Sequence, residues 1–148
     1  MLQARREEAV KAGISPQLIE DVLRRFMRES YSNENQFGFK TLNPAINKIV
    51  IVGGYGKMGQ LFARYLRASG YPISILDRDD WDVAEHILTN ADVVIISVPI
   101  DHTLETIERL KPYLTENMLL ADLTSVKRAP LAKMLDVHKG AVVGLHPM

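Results

Sequence analysis

From Lys48 onward, short runs that are apolar at every position alternate with longer segments in which apolar residues recur every three or four places. The runs are "KIVIV", "PISIL", "ADVVIISV", "MLLA" and "AVVGL". Helical spacing covers Gly56 to Ser69, a short piece near Trp81 to Leu88, His102 to Leu114, and Val126 to His138. Runs with no polar alternation suit strands covered on both faces. Strand and helix in strict alternation predict an α/β fold, a Rossmann-type doubly wound parallel sheet. The first forty residues follow a different rule and predict a short helical segment ahead of the sheet. In "SPQLIEDVLRRFMRES", Leu18, Ile19, Val22, Leu23, Phe26 and Met27 form one stripe, opposite Glu20, Asp21, Arg24, Arg25, Arg28 and Glu29. Ser15 and Pro16 have the places of an N-cap and a first helical residue, and Gly13 that of a cap on a shorter helix from Gln3 to Lys11. The stripe wants a partner and is expected to drive self-association if it lacks one. "SNENQFGFKTLNPAIN" then reads as a linker.

Composition narrows the function. The chain has 148 residues, 47% of them hydrophobic, enough for a core. Its 18 basic and 18 acidic residues cancel, which argues against nucleic acid and against an anionic membrane as partners. "MLQARREEAV" is charged where a signal peptide is apolar, and "ADVVIISVPI" is about half of a membrane span, so a cytoplasmic protein is expected. No cysteine is present, which excludes disulfides, thiolate catalysis and Cys-bearing zinc sites. No metal is expected.

The stretch "KIVIVGGYGKMGQLFARYLRASG" carries the chemistry. Gly54, Gly56 and Gly59 make G-x-G-x-x-G between a strand and a helix, with Tyr55, Lys57 and Met58 as its variable positions. In such a loop the first glycine allows a tight turn, the second lets backbone approach a pyrophosphate, and the third lets helix lie on strand. The helix N-terminus favours the phosphates. Asp77 ends the second run, where an acid accepts hydrogen bonds from a ribose diol and repels a 2′-phosphate, so NAD is expected over NADP, with Arg78 able to soften the preference. Ser97, Val98 and Pro99 follow the third run and are assigned to the cofactor side, Val98-Pro99 being read either as packing on the cofactor or as a plain turn before an Asp101 cap. Thr124 or Ser125 is read as a helix N-cap or as a site hydroxyl. His86, His102 and His138 are assigned structural or surface roles. His146 follows the last run and is taken as the base for a dehydrogenation, with Ser125 to orient it.

"IVIVGGYGKMGQLFARYLRASGYPISILDR", "ADVVIISVPI", "LLADLTSVKRAPLAKML" and "GLHPM" together resemble the nicotinamide-binding half of the prephenate dehydrogenase family, in the form fused to a chorismate mutase. The resemblance implies that residues 1–37 are the C-terminal helical part of a chorismate mutase domain, 38–47 a linker, and 48–148 the NAD-binding Rossmann domain. It implies NAD-dependent oxidative decarboxylation of prephenate to 4-hydroxyphenylpyruvate in tyrosine synthesis. His146 would assist deprotonation of the substrate hydroxyl, Ser125 would set that histidine and the reacting ring, and the full-length protein would be a homodimer. Of the mutase pocket only Ser30 and Glu34 match, and the expected C-terminal helical domain is absent. The chain is therefore expected to be an internal piece that binds NAD without full activity and has no mutase activity. Arogenate dehydrogenase, or an NAD-binding module without turnover, are the alternatives.

Overall fold

The computed structural model describes residues 43–146 and, before them, Gly13, Ser15 and Gln17 individually. The expected N-terminal helices, with Ser30 and Glu34, lie outside the described residues, as do Pro147 and Met148. Gly13 has φ +72°, the left-handed conformation of a helix-ending glycine, and the Ser15 hydroxyl donates to Gln17 Oε1. Residues 1–38 and 39–148 are separate compact units.

In the second unit the five runs become β1 (Ile49–Val52), β2 (Ile73–Leu76), β3 (Val93–Ile96), β4 (Leu119–Asp122) and β5 (Val142–Gly144). They form one parallel sheet in the order β2-β1-β3-β4-β5. The helices are α1 (Lys57–Ala68), α2 (Ala84–Leu88), α3 (Ile100–Leu110) and α4 (Arg128–Val137), with 3-10 turns at Trp81–Val83 and Lys111–Tyr113. Successive strand residues point to opposite faces, and the core divides accordingly. Val50, Val52, Val94, Ile96 and Leu120 meet Ala84, Leu88, Ile107, Leu110 and Met134 from α2, α3 and α4. Ile49, Ile51, Val93, Ile95 and Ala121 meet Ala63, Phe62 and Leu66 of α1. A strand with a helical layer on each side has no polar face to show, which is why the runs do not alternate. β5 departs from this expectation: it is not a buried strand, because Val142 is only half-buried and Val143 and Gly144 are exposed.

Within the expected linker, residues 43–47 are tied to the sheet unit. Asn43 N–H donates to the Tyr71 hydroxyl, Asn47 N–H donates to Asp92 Oδ2 at 2.7 Å, and Ile46 packs on the α1-side core. His138, at the end of α4, is buried, with Nε2 2.8 Å from the Met118 carbonyl; that contact joins the helix end to the start of β4 and bears out a structural role. Glu108 and Lys133 pair between α3 and α4.

Candidate functional site

Because all five strands are parallel, their carboxyl ends lie on one edge. The chain leaving β1 turns toward β2, whereas β3 leads on to β4, so a crevice opens between the ends of β1 and β3. Such a switch point is where open α/β sheets bind ligands.

The glycines there divide into two kinds. Gly53, which the motif reading passed over, takes the left-handed turn at φ +79°, and a Cβ on it would lie 2.8 Å from the Ser97 carbonyl. The tight-turn role assigned to Gly54 therefore belongs to Gly53; the dipeptide "GG" was the available signal. Gly54 is buried instead against Ile75, whose Cγ2 would stand 2.7 Å from an added Cβ. Gly59 allows α1 to lie on the loop, as expected: a Cβ would come within 2.5 Å of the Gly53 carbonyl. Gly56 is different. Its φ of −67° and ψ of 162° suit any residue, and a Cβ would meet nothing closer than the Gly53 carbonyl at 3.4 Å. Neither backbone nor packing requires glycine there. Gly56 is also the N-cap of α1, with no side chain capping it, so the first N–H groups of the helix face the crevice edge without a side-chain acceptor.

A cavity of about 450 Å³ lies on one side of the loop, lined by Gly53, Gly56, Asp77, Arg78, Trp81, Ser97, Val98, Pro99 and the α3 residues His102, Glu105, Thr106 and Arg109. Asp77 Oδ2 accepts the Tyr55 N–H at 3.0 Å and Oδ1 accepts the Arg78 N–H at 2.8 Å, so the carboxylate is held by the loop it serves. The Arg109 guanidinium lies 3.9 Å above the Trp81 ring, closing the far wall. Trp81, Arg109 and His102 were not among the expected site residues. Positions 99, 102, 106 and 109 recur at three and four along α3, a signal the sequence did hold. Pro99, not Asp101, is the N-cap of α3, and Asp101 lies in its first turn.

A second cavity of about 260 Å³ is lined by Gly56, Lys57, Met58, Ser97, Val98, Pro99 and Leu123. Gly56 and Ser97 to Pro99 thus border both cavities, while Gly54, Tyr55 and Gly59 border neither; the Tyr55 ring is exposed.

At the ends of β4 and β5 the structure corrects two expectations. Neither Thr124 nor Ser125 caps α4, whose N-cap is Lys127. Thr124 instead donates its hydroxyl to the buried Asp122 carboxylate, which also accepts the Thr124 N–H, because that acid needs donors more than the helix does. Nor does His146, taken as the base after the last run, follow a strand covered on both faces: β5 is largely open, His146 is exposed, and the fully buried acid is Asp122 on β4. Ser125 is exposed as well, and neither residue borders the two cavities.

The nucleotide-binding domain of prephenate dehydrogenase matches residues 70–148, slightly more than half of the chain. Over all 148 residues the chain is 85% identical to the T-protein of Haemophilus influenzae and 55% identical to that of Enterobacter agglomerans, in each case spanning 39% of the relative. The crystal structure of prephenate dehydrogenase from A. aeolicus in complex with hydroxyphenyl propionate and NAD+ superposes with a TM-score of 0.60 at 25% identity, over 74% of this chain and 43% of that one. The chain thus spans about two fifths of the length of these curated relatives.

Proposed function

The chain belongs to the prephenate dehydrogenase nucleotide-binding family, and from that premise we propose that it holds NAD across the ends of β1 and β3 for the oxidative decarboxylation of prephenate. The observation that carries this is Gly56: it borders both cavities, and no contact within the chain accounts for its lack of a side chain. A dinucleotide lying in the two cavities would pass its pyrophosphate over that backbone and over the N-terminus of α1. Asp77 would take the adenosine ribose diol. A carboxylate has about four lone-pair sites, and the Tyr55 and Arg78 N–H groups occupy two. The larger cavity, with Trp81 and Arg109, would then receive the adenine, and the smaller one, beside Met58 and Leu123, the nicotinamide end.

When bound, NAD supplies the hydride acceptor. The remaining work falls to the chain and its substrate. His146 would accept the proton of the prephenate ring hydroxyl as the hydrogen on the hydroxyl-bearing carbon leaves with the C–H bonding pair as hydride, and Ser125 would hold hydroxyl and imidazole in line. Loss of CO2 then yields 4-hydroxyphenylpyruvate, with aromaticity as the driving force. The segments 1–37 and 38–47 are assigned to a mutase remnant and a linker, and the complete enzyme is assigned as a cytoplasmic homodimer. Among the described residues no helix is long and apolar enough to cross a membrane.

Calorimetric titration of the chain with NAD and with NADP tests the cofactor reading. Saturable binding of NAD, tighter than NADP, is expected; absence of binding by a folded chain would overturn it. In the complete enzyme, turnover with arogenate but not prephenate would move the chain to the arogenate dehydrogenases.

A further inference from the structure

One fully buried carboxylate lies outside the cofactor crevice. Asp122, the last residue of β4, has no exposed surface, and its carboxylate receives the Thr124 N–H at 3.1 Å, the Thr124 hydroxyl, and Lys127 Nζ at 3.0 and 3.1 Å. Its main-chain carbonyl receives the Leu145 N–H at 2.9 Å and lies 3.4 Å from Lys127 Nζ. Gly144, which pairs with Asp122 across the sheet, lies against the same group: a Cβ there would stand 3.2 Å from Lys127 Cδ and 3.5 Å from Asp122 Oδ1.

Two segments therefore meet on one residue. The turn from Leu123 to Lys127 carries Ser125, and the end of β5 carries His146. Neither Ser125 nor His146 makes a side-chain hydrogen bond among the described residues, and both are exposed, so nothing about their own side chains fixes where they stand. β5 itself is thinly covered, with Val142 half-buried and Val143 and Gly144 exposed, so packing does less for it than for the other strands. Lys127 is not a free cation for a substrate carboxylate, since its charge is matched by Asp122 at salt-bridge distance. A buried ion pair is weak evidence of a device for stability, because apolar residues of similar volume often serve as well. What a fully satisfied polar cluster adds is a single geometry.

We propose that Asp122 and Lys127 are positioning residues: the pair, with Thr124, clamps the turn that presents Ser125 to the strand end that presents His146. The clamp acts on the substrate end of the site and rests on the assignment of Ser125 and His146 given above. Its test needs no cofactor, so the two readings fail separately.

The measurement is amide hydrogen exchange, with NMR of the His146 ring, on the 148-residue chain. Lys127→Met leaves the Asp122 carboxylate without its cation, whereas Lys127→Arg keeps charge and donors. In Lys127→Met the Leu145 and Ser125 amides should exchange roughly ten-fold faster or more and the His146 ring signals should shift, while the β1 and β3 amides keep their protection. Lys127→Arg should restore both readouts. Should Lys127→Met fail to fold, Asp122→Asn with Lys127→Met removes both charges at nearly constant shape, and the same local loosening is expected. Unchanged Leu145 exchange and an unmoved His146 signal, in any folded variant lacking the pair, would overturn the proposal. So would loosening spread evenly over all five strands, which marks a stability role alone.

Discussion

Gly56→Ala and Gly59→Ala differ by three residues and one methyl group each, and the structure predicts opposite outcomes for them. At Gly59 the new methyl would stand 2.5 Å from the Gly53 carbonyl and 2.7 Å from Gly54 Cα. Both are backbone atoms of a turn held by Gly53 at φ +79°, so neither can rotate away. Overpacking of this kind costs about 1–3 kcal/mol. For a unit of this size each kcal/mol lowers the melting temperature by about 4–8 °C, so a fall of the order of 10 °C is expected. At Gly56 the nearest atom is at 3.4 Å, ordinary contact, and the backbone already lies where alanine is at ease. Alanine there loses less unfolded-state entropy, a gain of about 0.4–1 kcal/mol, and is a poorer N-cap, a loss of similar size. Its melting temperature should stay within a few degrees. The same methyl stands where the pyrophosphate would touch backbone, and NAD affinity should drop roughly ten-fold or more, about 1.4 kcal/mol. Differential scanning calorimetry and titration calorimetry on both variants give four numbers. If Gly56→Ala binds NAD as the unsubstituted chain does, the reasoning about backbone approach is wrong; if Gly59→Ala melts unchanged, the packing assignment is.

Asp77→Asn keeps an acceptor for the Tyr55 N–H but loses the charge, so by titration NAD should bind roughly ten-fold more weakly and its lead over NADP should narrow. In the complete enzyme, His146→Asn should retain NAD binding by titration while steady-state turnover falls by roughly 10²–10⁴-fold. Glu108 is held below its usual 4.5 by the Lys133 hydrogen bond and charge, and Lys133 is raised above 10.5 by Glu108. The stability the pair contributes is therefore fully present between those values, and is lost as pH falls through the lowered Glu108 value or rises through the raised Lys133 value. Glu108→Gln should show a small deficit in urea denaturation at pH 7 that disappears in acid.

The five strands and their order of helices were legible because a sheet covered on both faces leaves the same mark at every position, and β1 and β3 are buried from end to end. The glycine loop was legible through spacing. What failed was local competition for hydrogen bonds. Thr124 stands where a cap residue would, yet a buried carboxylate two residues earlier takes its hydroxyl, and burial of Asp122 cannot be read from "LLAD" without knowing that Lys127 reaches it. Gly53 and Gly54 were indistinguishable in sequence, since the sign of φ is set by how the turn meets Ser97. The Trp81–Arg109 wall joins residues 28 positions apart, a distance no periodicity spans.

The two ends of the site combine packing and hydrogen bonds in different proportions, and the difference follows from where the helices lie. At the cofactor end, α1 on one face and α2 and α3 on the other confine the β1–α1 loop: Ile75, Ser97 and Val98 press on its glycines from neighbouring strands, and the Gly53 N–H to the Leu76 carbonyl, the Gly56 N–H to the Gly53 carbonyl and the Tyr55 N–H to Asp77 complete its turn. Along β5 the cover is thinner: Val143 is 37% exposed, and only Leu145 just beyond the strand packs on the α1-side core. Such thin contact does little to fix a strand end against sliding or fraying. Directional bonds can, and Asp122 supplies them through carboxylate and carbonyl together to both segments that flank it. A charged residue in the middle of an apolar sheet edge is costly unless every lone pair is used, which explains why Thr124 turns inward and Lys127 gives up most of its exposure to reach it. The polar cluster stands where the packing thins.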